Sequence, residues 1–368
     1  MKRRTIALVL TFTIVAIQAY RVLEDSGLLT PLTPHFAGQC EPIEGLIGAE
    51  DITIDHARQY AFISADDRRA NTAGKPALGA IYGLDLSDPK AKPHLLFKGL
   101  SKGLNKGADN NFHPHGISLY HGENGQRSLF VVNHPNSGQQ QVNILDISDD
   151  NSIIHRETIR YPDLVSPNDL IAVGPSQFYV TNDHGFAPGS VMQVVEDYLG
   201  LPLSNVTYYD GTQGSIVATG LRFANGITAT DDLKTFYVSQ ATGRKISVYN
   251  RDSSTGKLTK QSDIAVKFGP DNLEWDTKGN LWVAGHPRLF DFLGHTDDAD
   301  NHSPSQVVKI DVNSTIPVVS PVYLSMGVDI SGATVAAVYN GTIKKSTTNK
   351  GIMLIGSVFE PRILRCQL

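Results

Sequence analysis

An all-β fold, a six-bladed β-propeller around a central channel, is predicted by three observations: a hairpin written six times, the spacing of its copies, and the phase of the polar residues that head them. The clearest hairpin has a polar head at Asn168-Asp169, an apolar strand over 170–173, the turn Gly174-Pro175, a second strand over 178–181 and a polar exit at Asn182-Asp183-His184. Related hairpins begin near residues 50, 115, 225, 271 and 332. Their period is that of a four-stranded blade, about 40 to 50 residues, lengthened by loops. Radial repetition brings equivalent positions together around the channel. Glu50, Asn168, Asn225 and Asp271 occupy one such position, so their side chains are expected to converge at one mouth of it.

A chain of 368 residues has length enough for two domains, but a propeller spends its length on blades around one axis, so residues 40–368 are expected to form a single domain after a lead-in over 21–39. The formal net charge of −5 provides no broad basic surface and argues against nucleic acid as a partner. Lys2-Arg3-Arg4 followed by the apolar run 5–20 has the charged and apolar regions of a secretory signal. Residues 1–20 are therefore expected to be a signal peptide or an uncleaved anchor, which sends the protein into the secretory pathway, secreted or associated with the membrane through that segment.

The chain's two cysteines, Cys40 and Cys366, flank the repeats. Cysteines at the two ends of a circular fold suggest a clasp between first and last blades, and closing so long a loop removes much unfolded-state entropy in the chain-entropy model. The other reading, two unpaired buried thiols, suits a secreted protein less well. Asn205, Asn301, Asn313 and Asn340 head N-x-[ST] sequons and are the expected glycosylation positions.

Gln141–Ile147 alternates apolar and polar residues, which predicts an outer, half-buried strand. Residues 190–199 form the one strong helical stretch, with Val191, Val194, Val195 and Tyr198 at helical spacing. It should lie above the channel mouth, either packed on a blade or serving as a lid or membrane-facing element. The acidic segment 296–301 lacks the glycine turn and terminal glutamate of an EF-hand loop and is expected to be solvated.

An Asn or Asp before a strand is ordinarily a turn residue that bonds its own backbone. That account does not explain adjacent pairs at Glu50-Asp51, Asn168-Asp169 and Asp271-Asn272, with Asn225 in a fourth copy. Mixed carboxylate and amide oxygens are what Ca²⁺ takes in six- to eight-fold coordination. Because successive strand residues point to opposite faces, one member of each pair should face the mouth and the other the channel below, which predicts two calcium ions at different depths. The copy without an acid at its head has His115, and its hairpin exits through His134. Two histidines in series beside a metal can tune one as a general base for water; hydrogen-bonded structural histidines are the alternative.

The segments Pro114-His115-Gly116-Ile117-Ser118, Val131-Val132-Asn133-His134-Pro135, Asn168-Asp169-Leu170-Ile171-Ala172-Val173-Gly174-Pro175, Thr181-Asn182-Asp183-His184 and Phe223-Ala224-Asn225-Gly226-Ile227 resemble the serum paraoxonase/arylesterase family over essentially the whole chain. The resemblance implies a six-bladed propeller with two calcium ions, hydrolysing lactones by preference and aryl esters and some organophosphates besides. It implies a catalytic calcium at Glu50, Asn168, Asn225, Asp271 and Asn272, and a structural calcium at Asp51, Asp169 and the backbone carbonyl of Ile117. It further implies a His115/His134 dyad, a Cys40–Cys366 disulfide, and a pocket lined by Phe223, Asp183, His184 and His286. Where the family often has a free cysteine before His-Pro, this chain has Gly285-His286-Pro287.

In the expected mechanism calcium binds the carbonyl oxygen while His115, backed by His134, activates water; direct attack by a carboxylate such as Asp271 is another route. Two further readings stand beside it. One is a lactonase of the gluconolactonase type, with a single metal and neither dyad nor clasp; the other is a non-catalytic propeller that uses calcium only for stability.

Overall fold

The two ends of the chain meet in one sheet. Strand β1 (Gln39–Glu44) pairs antiparallel with β24 (Arg362–Gln367), Cys40 opposite Cys366, and the two cysteines form a disulfide across 326 residues of sequence. The computed structural model describes residues 22–75, 77–99, 111–136, 139–341 and 351–368, with four isolated positions before residue 22. The signal or anchor expected over 1–20 lies almost wholly outside the described residues. Among the described residues no helix is long and apolar enough to cross a membrane.

Six four-stranded sheets follow one another. The first holds β2 (Ala49–Asp55), β3 (Tyr60–Ala65), β4 (Ala80–Asp85) and β5 (His94–Phe97). The second holds β6 (Pro114–His121), β7 (Arg127–Asn133), β8 (Gln141–Ile147) and β9 (Ile153–Ile159). The third holds β10 (Pro167–Gly174), β11 (Gln177–Asn182), β12 (Ser204–Tyr209) and β13 (Gly214–Leu221). The fourth holds β14 (Ala224–Ala229), β15 (Thr235–Gln240), β16 (Lys245–Arg251) and β17 (Leu258–Ala265). The fifth holds β18 (Gly269–Trp275), β19 (Asn280–His286), β20 (Ser305–Asp311) and β21 (Val318–Ser325). The sixth is completed by the N-terminus: β22 (Ala333–Tyr339), β23 (Ile352–Ser357), β24 and then β1. The predicted six-bladed propeller and its disulfide clasp are thus both present.

Apolar side chains of neighbouring blades interdigitate in six separate cores. Ile52 and Ile63 of the first blade, for example, meet Val335 and Leu354 of the last, and Phe130 and Val132 of the second meet Leu170, Phe178 and Val180 of the third. Each sheet therefore buries both faces, and β2 and β7 are buried along their whole length. The same packing corrects the reading of β8. Its alternation predicted a half-exposed strand, but only Asp146 is even partly open. Its polar positions are satisfied inside the blade instead, Asn143 Nδ2 donating to Thr158 Oγ1 at 2.8 Å.

Among the described residues three α-helices interrupt the repeat: α1 (Arg68–Thr72), α2 (Val191–Leu199) and α3 (Leu289–Asp297). Ser190 caps α2 by accepting from Gln193 N, and Gly200 ends it in the left-handed region. Val191 and Val194 are exposed, while Glu196 is buried and accepts from Gly185 N at 3.0 Å. Helix α3 has no counterpart in the sequence reading. The acidic segment after it is open to solvent at Asp297, Asp298 and Asp300, as expected. The lead-in crosses the blade tops, Arg222 pairing with Asp25 at 2.9 Å and His35 bridging to Leu324.

Candidate active site

All six inner strands begin with the same irregularity. In β10 Pro167 faces Asn182 and Leu170 faces Val180, which sets Asn168 and Asp169 against a single partner residue. The same two-against-one bulge holds His115-Gly116 in β6, Asn225-Gly226 in β14 and Asp271-Asn272 in β18, and one extra residue, Glu50 or Thr334, stands at the head of β2 or β22. Bulges re-aim side chains. They also correct the expectation of strict alternation, because the extra residue breaks the period of two. Asp271 and Asn272 consequently both serve the upper group, the first bonded to His286 Nε2 at 2.9 Å and the second to Glu50 Oε1 at 2.8 Å.

The bulges pack against one another at close range. A Cβ on Gly116 would lie 2.4 Å from Asp169 Oδ1, and one on Gly226 would lie 2.6 Å from the Asp271 carbonyl. Hydroxyls of the preceding blades hold the bulge carbonyls: Thr181 Oγ1 donates to Asn225 O, Ser239 Oγ to Asp271 O and Thr334 Oγ1 to Glu50 O.

The upper group, Glu50, Asn168, Asn225, Asp271 and Asn272, is buried throughout. Within it Glu50 Oε2 and the Oδ1 atoms of Asn168, Asn225 and Asn272 have no hydrogen-bond partner. A buried polar atom left unpaired costs about 1 to 3 kcal/mol, so four from four different blades form an arrangement that a hard cation would relieve. Among the described residues no three carboxylates, histidines or thiols group tightly enough to hold an ion alone. The cradle is instead a mixed one, three of its five side chains being amides.

Burial opposes ionisation of Glu50, but His115 in its protonated form, with Nε2 3.5 Å from Oε1, together with Arg68 and Asn272 outweighs burial and holds this carboxylate below its ordinary value. Burial, and then the Glu50 charge, push Asp271 well up.

Below them lie Asp51 and Asp169. Asp51 accepts from Ile52 N at 2.8 Å and Ile117 N at 2.7 Å, and Asp169 from Leu170 N at 2.7 Å and Ile227 N at 2.8 Å. Burial pushes both carboxylates well above their usual range; Asp169 and Glu50 add to the effect at Asp51, and Glu50 and Asp271 at Asp169. Excess negative charge in a buried place again fits a cation. Glu274, which the sequence reading passed over, joins Asp51 and Asp169 in the lining of a channel cavity of about 600 Å³.

The two histidines meet as expected, His115 Nδ1 lying 2.8 Å from His134 Nε2. His134 Nδ1 in turn lies 2.7 Å from Gln140 Oε1. An amide oxygen only accepts, so Nδ1–H of His134 donates to Gln140, Nε2 of His134 accepts from His115, and His115 Nε2 is left with a free lone pair facing the upper group. Burial, and then the nearby His115, lower the pKa of His134 to about 3.

The remaining expected pocket residues flank this arrangement. His184 joins Asp183 at 2.7 Å to Asp197 of α2 at 2.8 Å. Burial disfavours its charge, but the two carboxylates overcome that and raise its pKa to about 10. Phe223, at φ +53°, sets its ring 5.0 Å from that of His184. His286 stacks on Phe292 of α3 at 3.7 Å, and burial lowers its pKa to about 3.

Gln140 and Phe292 were not foreseen. Gln140 sits in a run of three glutamines that carries no signal, whereas Leu289, Phe292 and Leu293 are spaced as a helix face and marked α3. Of the sequons, Asn301 and Asn313 are exposed, Asn340 is half-buried, and Asn205 is buried in β12 with Oδ1 accepting from Asn182 at 2.9 Å.

Fold and site together define a class, the six-bladed propellers that carry their polar groups on the bulged heads of the inner strands. The chain belongs to the arylesterase family, whose model matches residues 38–368. It is 35% identical to serum paraoxonase/arylesterase 2 of Gallus gallus over 89% of this chain and 88% of that one. To serum paraoxonase/arylesterase 1 of Mus musculus it is 37% identical over 92% and 91%. A putative gluconolactonase structure shares the fold alone, at TM-score 0.50 and 12% identity, covering 90% of this chain and 92% of its own.

Proposed function

We propose that the protein is a calcium-dependent hydrolase of aryl esters and lactones. The observation that carries this reading is the meeting of a base and a cation cradle: His115 Nε2 presents its free lone pair beside a carboxylate–amide group with four unpartnered buried oxygens. Family membership supports the hydrolytic class.

Glu50, Asn168, Asn225, Asp271 and Asn272 would hold the upper ion, and Asp51, Asp169 and the Ile117 carbonyl the lower one. Calcium bound in the upper cradle would polarise the substrate carbonyl and stabilise the charge that develops on its oxygen. His115 takes the proton of the attacking water at Nε2. His134 fixes the ring of His115 from behind and is kept neutral by burial, so it can accept from His115 Nδ1–H as positive charge grows there. Asp271 is engaged by His286, which favours water activated by His115 over direct attack by this carboxylate. Phe223, His184 and His286 flank the space in which the acyl and leaving groups would lie.

We further propose a location in the secretory pathway. The Cys40–Cys366 disulfide supports it, because disulfides persist in oxidising compartments.

The test is hydrolysis of phenyl acetate and of an aliphatic δ-lactone by the full chain, with calcium, after chelation, and after calcium is restored. Activity should vanish on chelation and return with calcium. Equal rates with and without the metal would refute the calcium role, and hydrolysis of neither substrate under any of these conditions would refute the hydrolase.

A further inference from the structure

Arg68, the first residue of α1, stands over the seam between the first and second blades. One terminal nitrogen, Nη1, donates to the carbonyls of Gly48 at 3.3 Å and Asp66 at 3.4 Å, and Nη2 donates to the carbonyl of Pro114 at 3.1 Å. Gly48 lies two residues before Glu50, and Pro114 immediately precedes His115. This clamp fixes the guanidinium beside both the cation cradle and the base.

Carbonyl oxygens orient a guanidinium without neutralising it. Among the described residues no carboxylate forms an ion pair with Arg68. Of the acids next to it in sequence, Asp66 is bonded to His113 and Asn71, and Asp67 caps α1 through Ala70 N. A guanidinium has five N–H donors and these contacts use three, so donors remain on a side chain that is only half-buried. A fixed positive charge next to a cation cradle disfavours the cation, so its presence needs an anion to account for it. Among the described residues no carboxylate touches the guanidinium to supply one.

We propose that Arg68 is a specificity-determining residue which binds a carboxylate carried by the substrate, so that the enzyme selects esters or lactones with an anionic arm over neutral ones. This rests on the hydrolase reading. Arg presents a planar donor fork that matches a carboxylate, and its clamped position lets an anionic arm reach it while the scissile carbonyl occupies the mouth beside His115. A hydrogen bond to a charged group contributes about 1.5 to 3 kcal/mol, or about ten- to a hundredfold in kcat/KM.

The experiment compares matched substrates on the calcium-loaded full chain: phenyl pentanoate against monophenyl glutarate, which differ by a carboxylate at the acyl end, and phenyl acetate against 4-carboxyphenyl acetate, which differ at the leaving end. Wild type should favour the anionic member of one pair by about ten- to a hundredfold. That ratio should fall as salt is raised, collapse towards one in Arg68→Gln, and survive in part in Arg68→Lys. No anionic preference in either pair, or a ratio unchanged in Arg68→Gln, overturns the proposal while leaving the hydrolase intact. If wild type hydrolyses none of the four, the hydrolase reading has failed, and glutarate itself then decides on Arg68. At fixed free calcium glutarate should raise the melting temperature of wild type and of Arg68→Lys but not of Arg68→Gln; no rise in wild type overturns the site. Should Arg68→Gln not fold, the salt dependence of the wild-type ratio and the lysine variant carry the test.

Discussion

His115 Nδ1 and His134 Nε2 lie 2.8 Å apart, and the oxygen of Gln140 on the far side of His134 sets the direction of every proton in the chain. His115→Gln should therefore lower kcat by about 10² to 10⁴, the usual contribution of a general base, while calorimetric calcium affinity is retained. Gln140→Glu should alter the pH–rate profile without touching substrate. Full turnover in His115→Gln would transfer the role of base to a carboxylate of the upper group.

The depressed pKa of His134 has a consequence for stability. An unfolded histidine titrates near 6.5, whereas the folded one does so at about 3. Between those values the unfolded chain binds a proton that the folded chain refuses, so unfolding free energy falls as pH drops from 6.5 towards 3. Chemical denaturation across this window should show a shallower slope for His134→Gln than for wild type. Identical slopes would mean that His134 is protonated in the fold.

Four unpartnered oxygens imply a strong response to metal. Asn168→Ala and Asn225→Ala should each lower kcat towards every substrate by about 10² to 10³, the effect of losing one contact that stabilises the oxyanion, and should weaken calcium binding in a direct titration. A variant that binds calcium as tightly as wild type would place that residue outside the cradle.

Asp169 has a double part, since its carboxylate holds Leu170 N and Ile227 N and its charge suits the lower ion. Asp169→Ala strands two buried N–H groups, at about 1 to 3 kcal/mol each, and should melt early with or without calcium. Asp169→Asn retains an acceptor and should lose chiefly the calcium-dependent part of the melting temperature. A normal melting curve with lost turnover would reverse the assignment of the two sites.

The clasp is tested by Cys40→Ser. Loss of a disulfide spanning 326 residues should destabilise the fold by about 6 kcal/mol in the chain-entropy model, read as an earlier melt and poorer secretion. An unaltered melting temperature would show that β1 is held by its pairing with β24 alone.

Much of this protein could be read from its chain because a propeller is periodic. A hairpin copied six times declares the blades, and the shared phase of Glu50, Asn168, Asn225 and Asp271 identifies a ring of residues long before any distance is known. The pairing of Cys40 with Cys366 was likewise legible, since they stand at opposite ends of a closed circle. Local patterns were less reliable guides. Alternation in β8 reported polar partners inside the blade rather than solvent, and Val191 and Val194 of α2 proved to face outward, while Glu196 and the Asp183–His184–Asp197 bridge anchor the helix.

The sequence by itself determined which residues are repeated, hence the fold and the ring of oxygen-bearing side chains, because repetition is a property of the chain. Only the tertiary structure decided how those side chains are used. The bulge at each strand head, which sends Asp271 and Asn272 to the same group, depends on pairing with a second strand; the free lone pair of His115 depends on Gln140; and the charge of Arg68 is left open by carbonyls from two other segments of chain. Each of these is a contact between segments distant in sequence or in register, and spacing along a chain carries no record of which atoms of such segments will meet.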